Sequence, residues 1–167
     1  MTAARRPQLG DYGVVRTGGL WAWLIRFGTR SKVNHAFVYV GDGMIVEAQP
    51  GGAVQSPGWR YSRITAWSNL NLTDAERADI VRWAKAQIGV PYGWPDIAAL
   101  GLACEGIRSG WVAKRIERED RLICSQLVDK AYVLAGVHLF EDGRLPGQVT
   151  PGDLYDLILD ALASRCL

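Results

Sequence analysis

The sequence predicts a single α+β domain spanning residues 1–167. Three observations point there. Short β-rich runs broken by glycine and proline fill the stretch from Asp11 to Leu70. Capped, amphipathic helical patterns dominate the rest. The chain has 167 residues, 49% hydrophobic and 22% charged, enough for one core and ordinary for a globular fold.

Taken in order, Asp11 to Arg16 reads as a first strand. Leu20 to Phe27 is apolar at helical spacing and predicts a short helix. Ala36–Val40 and Met44–Ala48 are β-rich runs around Gly41-Asp42-Gly43, a hairpin signal. Pro50-Gly51-Gly52 and Pro57-Gly58 read as loops, and Ile64–Leu70 as another strand. Thr73-Asp74-Ala75-Glu76 is a capping box, opening a helix with Ile80, Val81, Ala84 and Ile88 on one stripe and a stop at Gly89 before Pro91. Asp96 to Arg121 begins apolar and becomes charged. A helix from Cys124 follows, with Leu127, Val128, Ala131, Leu134 and Ala135 as its buried stripe and Gly136 as its cap. A short strand over Val137–Phe140 and a last helix from Thr150 to about Ala163 complete the chain.

Composition excludes several classes of function. A net charge of +2, with no basic run interleaved with aromatics, gives no footprint for nucleic acid. No stretch approaches the roughly 20 apolar residues of a membrane span. The three cysteines are widely spaced, which argues against a disulfide framework and a zinc site; no metal or cofactor is expected. Met1 to Gly10 holds Arg5 and Arg6 but no apolar h-region, so no secretory signal is expected. The chain is expected in the cytoplasm, or delivered by a phage or secretion route.

Cys124 carries the chemistry. In Leu122-Ile123-Cys124-Ser125-Gln126-Leu127-Val128 a thiol falls in the first turn of a helix, where free N–H groups and the dipole favour a thiolate. His35 precedes a β-rich run, and Glu47 lies on the strand after it. If Gly41-Asp42-Gly43 is a three-residue loop, Val40 pairs with Met44, Phe37 with Glu47 and His35 with Gln49. Side chains alternate along strands, so His35, Phe37, Glu47 and Gln49 then share one face. Glu47 is the expected orienter of His35 because its apolar neighbours point to partial burial; Gln49 is the alternative. His138, beyond the far end of the cysteine helix, is read as structural. Cys104 and Cys166 are read as ordinary packing cysteines.

Gly89-Val90-Pro91-Tyr92, followed by Cys124-Ser125-Gln126-Leu127-Val128, resembles the Gly-x-Pro-Tyr…Cys-Ser-x-Leu-Val pattern of NlpC/P60 cysteine peptidases. His35 and Glu47 precede the cysteine here. That order resembles the circularly permuted branch of the family, which contains YiiX-like proteins and is related to lecithin:retinol acyltransferase-type enzymes. Gly10-Asp11 and Thr150-Pro151-Gly152-Asp153 resemble that branch too, so the similarity covers nearly the whole chain. It implies a papain-like fold, an antiparallel sheet or partial barrel packed on helices, with Cys124 as nucleophile, His35 as general base then acid, and Glu47 as its orienter. Tyr92 matches a family tyrosine, implying an oxyanion or substrate contact, with simple packing as the alternative. The segment 96–121 has no short-form counterpart and reads as a lid or specificity insertion.

Three functions are then in view. One is an amidase or endopeptidase acting on peptidoglycan-type peptides through a thioester. Another is a lipid acyl hydrolase or acyltransferase at a membrane surface, with the Ile97–Cys104 run and Trp111 beside Lys114, Arg115 and Arg118 as an interfacial element. The third is a non-catalytic binding module. Cys-Ser-Gln, where the acyltransferase branch carries Asn-Cys-Glu, favours the hydrolase. The expected partner is a peptide or acyl substrate, a cell-wall fragment or a lipid.

Overall fold

In the computed structural model the described residues are 6–19, 22, 26, 31–61, 66–93, 122–144 and 146–164. The expected helix over Leu20–Phe27, apart from helical Ala22 and Arg26, lies outside them, as do the segment 96–121, Cys104 and Cys166. The fold is α+β. Five antiparallel strands form one open sheet: β1 (Tyr12–Val15), β2 (His35–Gly41), β3 (Met44–Gln49), β4 (Gly52–Pro57) and β5 (Ala66–Trp67), in the order β4-β3-β2-β1-β5. Three α-helices are described: α1 (Asp74–Ala86), α2 (Cys124–Leu134) and α3 (Pro151–Ala163).

Alternation along the strands gives the sheet two faces. Tyr12, Val14, Ala36, Val38, Val46 and Ala48 face the helices and form one core with Ile80 and Ala84 of α1, Leu127, Val128 and Ala131 of α2, and Leu154 and Ile158 of α3. Val15, Phe37 and Ile45 point the other way and pack with Tyr39, Tyr61 and Trp67. Helix α2 lies against β2 and β3, and α1 packs on α2. Two core tyrosines keep their hydroxyls satisfied, as burial requires. Tyr12 donates to the Leu154 carbonyl at 3.0 Å and Tyr132 to the Gly10 carbonyl at 2.6 Å. Gly10-Asp11 has a structural part as well: Asp11 accepts from the Gln8 amide and pairs with Arg77 of α1 at 3.0 Å.

Helix starts follow the local chemistry. Thr73 accepts from the Glu76 amide while Glu76 accepts from the Thr73 amide, and Thr150 and Asp153 repeat the exchange at α3. Helix α2 ends in a Schellman arrangement, with Gly136 at φ 80°, its N–H donating to the Val133 carbonyl and the Val137 N–H to Tyr132.

Five expectations need correction. The hairpin between β2 and β3 closes with a two-residue turn, Asp42-Gly43, both residues at positive φ, and Gly41 rather than Val40 pairs with Met44. An irregularity between Tyr39 and Gly41 restores the parity, so Phe37 still pairs with Glu47. The pairing of β2 with β3 starts at Phe37 and Glu47; on their other edges His35 pairs with Val15 of β1 and Gln49 with Gly52 of β4. Strand β4 was hidden between two loop signals because its inward Ser56 is polar. Val137–Phe140 is no strand, its first amide being spent on the end of α2. The strand expected over Ile64–Leu70 is only Ala66–Trp67 among the described residues, and 68–70 are irregular. Finally, Ile88 and Leu134 are exposed: Ile88 falls beyond α1, and Tyr132, four residues after Val128, takes the inward place instead of Leu134.

Gly13 permits the aromatic face. A Cβ there would meet Phe37 Cε2 at 2.4 Å and Trp67 Cζ3 at 2.9 Å. Gly13→Ala is therefore expected to destabilise the fold by about 1–3 kcal/mol through overpacking. A urea denaturation midpoint equal to that of the native chain would contradict this.

Candidate active site

The site is built from a strand end, the strand paired to it, and a helix start. Cys124 is the first residue of α2, and its Sγ lies 3.9 Å from the carbonyl oxygen of Asn34, the residue just before β2. Asn34 is pinned in turn: its side chain donates to Thr17 Oγ1 at 2.7 Å and accepts from the Thr17 amide and from Arg26. Beyond Cys124, Ser125 donates to the Val149 carbonyl at 2.6 Å, and Gln126 accepts from the Ile123 amide. The polar residues flanking the thiol thus fix the helix start. Ile123, at the N-cap, has no side-chain oxygen, so the first-turn amides of α2 lack the side-chain cap that α1 and α3 have.

His35 opens β2 and meets both partners. Its Nε2 lies 2.6 Å from Glu47 Oε2, and Cys124 is near enough to act on the protonation of the ring. The strand alternation that puts Phe37 opposite Glu47 also puts His35 diagonally beside it. Cys124, His35 and Glu47 are therefore contiguous. Gln49, the alternative orienter, is not on His35.

Glu47 is fully buried, at 0% exposure, and each carboxylate oxygen takes two donors. Oε1 accepts from Ser56 and, at 2.9 Å, from Arg60; Oε2 accepts from Tyr61 and faces His35. Arg60 and Tyr61 come from a single 3₁₀ turn over Gly58–Arg60 and the residue after it. The Tyr61 ring stacks on Phe37 with centroids 5.3 Å apart and tilts against His35 at 5.6 Å. None of Asn34, Ser56, Arg60 or Tyr61 was singled out from the sequence. The only available signal was the need of a buried carboxylate for donors.

Charge inside the site is self-consistent. Burial alone lowers the His35 pKa, but its hydrogen bonding to Cys124 and Glu47, with their charges, outweighs this and raises it to about 9. Burial alone raises Glu47, yet His35, then Ser56 and Tyr61, hold it at about 2. Burial, then the Glu47 carboxylate, pushes the Tyr61 hydroxyl well above its ordinary range, so it stays a donor. The two shifts have opposite signs of linkage. The stability from His35 is complete below its ordinary 6.5 and is lost as pH rises through about 9. That from Glu47 is complete above 4.5 and is lost as pH falls through about 2. Melting temperature is accordingly expected to decline from pH 6.5 towards 9, with the His35 ring titrating near 9 by NMR. A ring that titrates at or below 6.5 would refute the assignment.

Tyr92 reaches the same neighbourhood by a different route. It forms a parallel bridge with Leu122, with the Gly93 amide on the Leu122 carbonyl and the Leu122 amide on that of Pro91. Burial, then the nearness of Cys124 and Tyr61, pushes its hydroxyl upward. Tyr92 also packs on the core. A cavity of about 190 Å³ opens here, lined by His35, Tyr61, Tyr92, Asn34 and Gln49 among others. His138 is exposed, beyond the far end of α2. Among the described residues no group of three or more His, Cys, Asp or Glu is placed to hold a metal, and no helix is long and apolar enough to cross a membrane. No protein-family model and no curated protein matches the chain.

Proposed function

We propose that the protein is a cysteine hydrolase that cleaves an amide bond through a thioester, its substrate a peptidoglycan-type peptide. The single observation carrying this is His35 held at Nε2 by the Glu47 carboxylate and raised in pKa by Cys124 and that carboxylate together. A thiol, an imidazole and an orienting carboxylate form the arrangement that activates a cysteine nucleophile. The order of these residues along the chain, with the Tyr92 motif between, supports membership of the permuted NlpC/P60 branch. An antiparallel sheet with the cysteine helix laid against it supports a papain-like architecture.

In the mechanism, His35 holds the Cys124 proton, and the thiolate attacks the amide carbonyl. The first-turn amides of α2, without a side-chain cap, are donors for the oxyanion, and Tyr92, whose hydroxyl stays protonated, is assigned a contact with the oxyanion or the substrate. The C–N bond breaks as His35 protonates the leaving amine, giving a thioester and a free amine. His35 then takes a proton from water as its oxygen adds to the thioester carbonyl, and the S–C bond breaks to release the carboxylic acid and return the Cys124 thiolate. Glu47 holds the ring and stays ionised throughout. Because His35 must be protonated to serve the leaving group, the alkaline limb of the rate profile is expected near 9.

The test is incubation of the native chain and Cys124→Ala with peptidoglycan fragments and, separately, with phospholipid vesicles and N-acyl amino acids, read by mass spectrometry. Cysteine-dependent cleavage of wall peptides supports the proposal. Cleavage confined to the lipids would move it to the acyl hydrolase reading, and turnover that survives Cys124→Ala would sink both.

A further inference from the structure

Among the described residues lining the site, Gln49 is a polar side chain with neither a role in the mechanism nor a hydrogen-bond partner. It ends β3, on the face that carries Glu47, and is half-buried at the cavity wall. Its carboxamide makes no hydrogen bond to any other described residue. The other amide of the wall, Asn34, is fully engaged by Thr17 and Arg26, and the Tyr61 hydroxyl is given to Glu47. Gln49 therefore offers one donor and one acceptor, side by side, to whatever enters.

The rest of the wall narrows the class of occupant. Thr17, Gly18, Ala48 and Pro50 are small and neutral, and among the described lining residues only His35 can carry a charge. A carboxylate or ammonium entering here would lose water with no dedicated counter-charge. A long alkyl chain would strand the Gln49 amide without a partner. It would also have to fit about 190 Å³, below the roughly 300–1,000 Å³ of pockets for drug-sized ligands.

We infer that Gln49 reads the substrate, and that the cavity takes a small, uncharged, amide-bearing group, in size one peptide residue, beside the bond that Cys124 attacks. This rests on the reading of Cys124 as nucleophile. A carboxamide pairs with a peptide amide in two complementary hydrogen bonds, so it selects for backbone and against acyl chain.

The experiment uses the full chain and four alkylating or thiolating probes, with labelling at Cys124 followed by intact mass and peptide mapping. N-chloroacetyl-alaninamide, N-chloroacetyl-alanine and N-octyl chloroacetamide share one reaction, in which a Cys124 S–C bond forms and chloride leaves. They differ only in presenting an amide, a carboxylate or an alkyl chain. Methyl methanethiosulfonate, which forms a mixed disulfide and expels a sulfinate, serves as the reference for thiolate reactivity. The alaninamide probe is expected to react about tenfold faster than the other two at low concentration, the worth of one well-made hydrogen bond or more. Relative to the reference, Gln49→Met is expected to erase that preference, and Gln49→Glu to slow the carboxylate probe further. Equal rates for the three probes, or a preference that survives Gln49→Met, would overturn the inference while leaving the nucleophile intact. If methyl methanethiosulfonate modifies Cys124 at pH 6 no faster than free cysteine, the nucleophile reading fails first.

Discussion

Replacing Cys124 with alanine is expected to lower turnover by roughly four orders of magnitude or more, the usual cost of removing the nucleophile from such a constellation. The fold should tolerate the change. Cys124 is small and buried at the start of α2, and alanine is a better helix former. A second readout comes without any substrate. The hydrogen bond from Cys124 is the strongest influence raising His35, so the His35 titration should fall from about 9 in Cys124→Ala. A ring that still titrates near 9, in a folded variant, would show that the thiol and the imidazole are not paired.

Glu47→Gln is expected to be the most damaging single change to stability. The carboxylate is the sole meeting point of Ser56, Arg60, Tyr61 and His35. An amide keeps one acceptor oxygen and turns the other into a donor, aimed at groups that are themselves donating. Removing one partner of a buried ionic cluster costs about 3–5 kcal/mol. Arg60 is partly exposed and can turn to water, which places the loss towards the lower end. Turnover should fall by about 10³–10⁴-fold, because the imidazole loses both its orientation and the charge that stabilises its protonated form. Glu47→Asp retains the charge but is one methylene shorter, and should recover stability more than activity. Urea denaturation and initial rates on the same samples separate the two effects; a Glu47→Gln protein within about 0.5 kcal/mol of the native chain would contradict the buried cluster.

Much of this site was legible in the sequence because its members sit in patterned segments. Thr73 and Thr150 announced their helices by capping chemistry, and Cys124 its place by the apolar stripe that follows it. His35 and Glu47 were placed on one face by alternation through a three-residue turn; the turn has two residues, and the irregularity near Val40 keeps the face. The residues that sequence reasoning did not reach are those whose role is set by tertiary approach. Ser56 lies in a strand disguised by its own polarity, and Arg60 and Tyr61 in a turn with no periodicity. Nothing local says that a serine, an arginine and a tyrosine converge on one carboxylate. Gln49 presents the reverse case: alternation gave its face correctly, and it lines the cavity with His35 without bonding to the imidazole.

The hairpin joining His35 to Glu47 works as a vernier. Its two-residue turn taken alone would set β3 one step out of phase with β2, and the irregularity near Val40 moves it back by one. Either adjustment without the other presents the carboxylate to the hydrophobic core and an apolar neighbour to the imidazole. Single-residue insertions and deletions in this short stretch should thus behave as losses of Glu47 itself, although they touch neither residue. A second, compensating change elsewhere in the same stretch should restore both. For anyone grafting loops onto this scaffold, the tip of the hairpin is part of the chemistry.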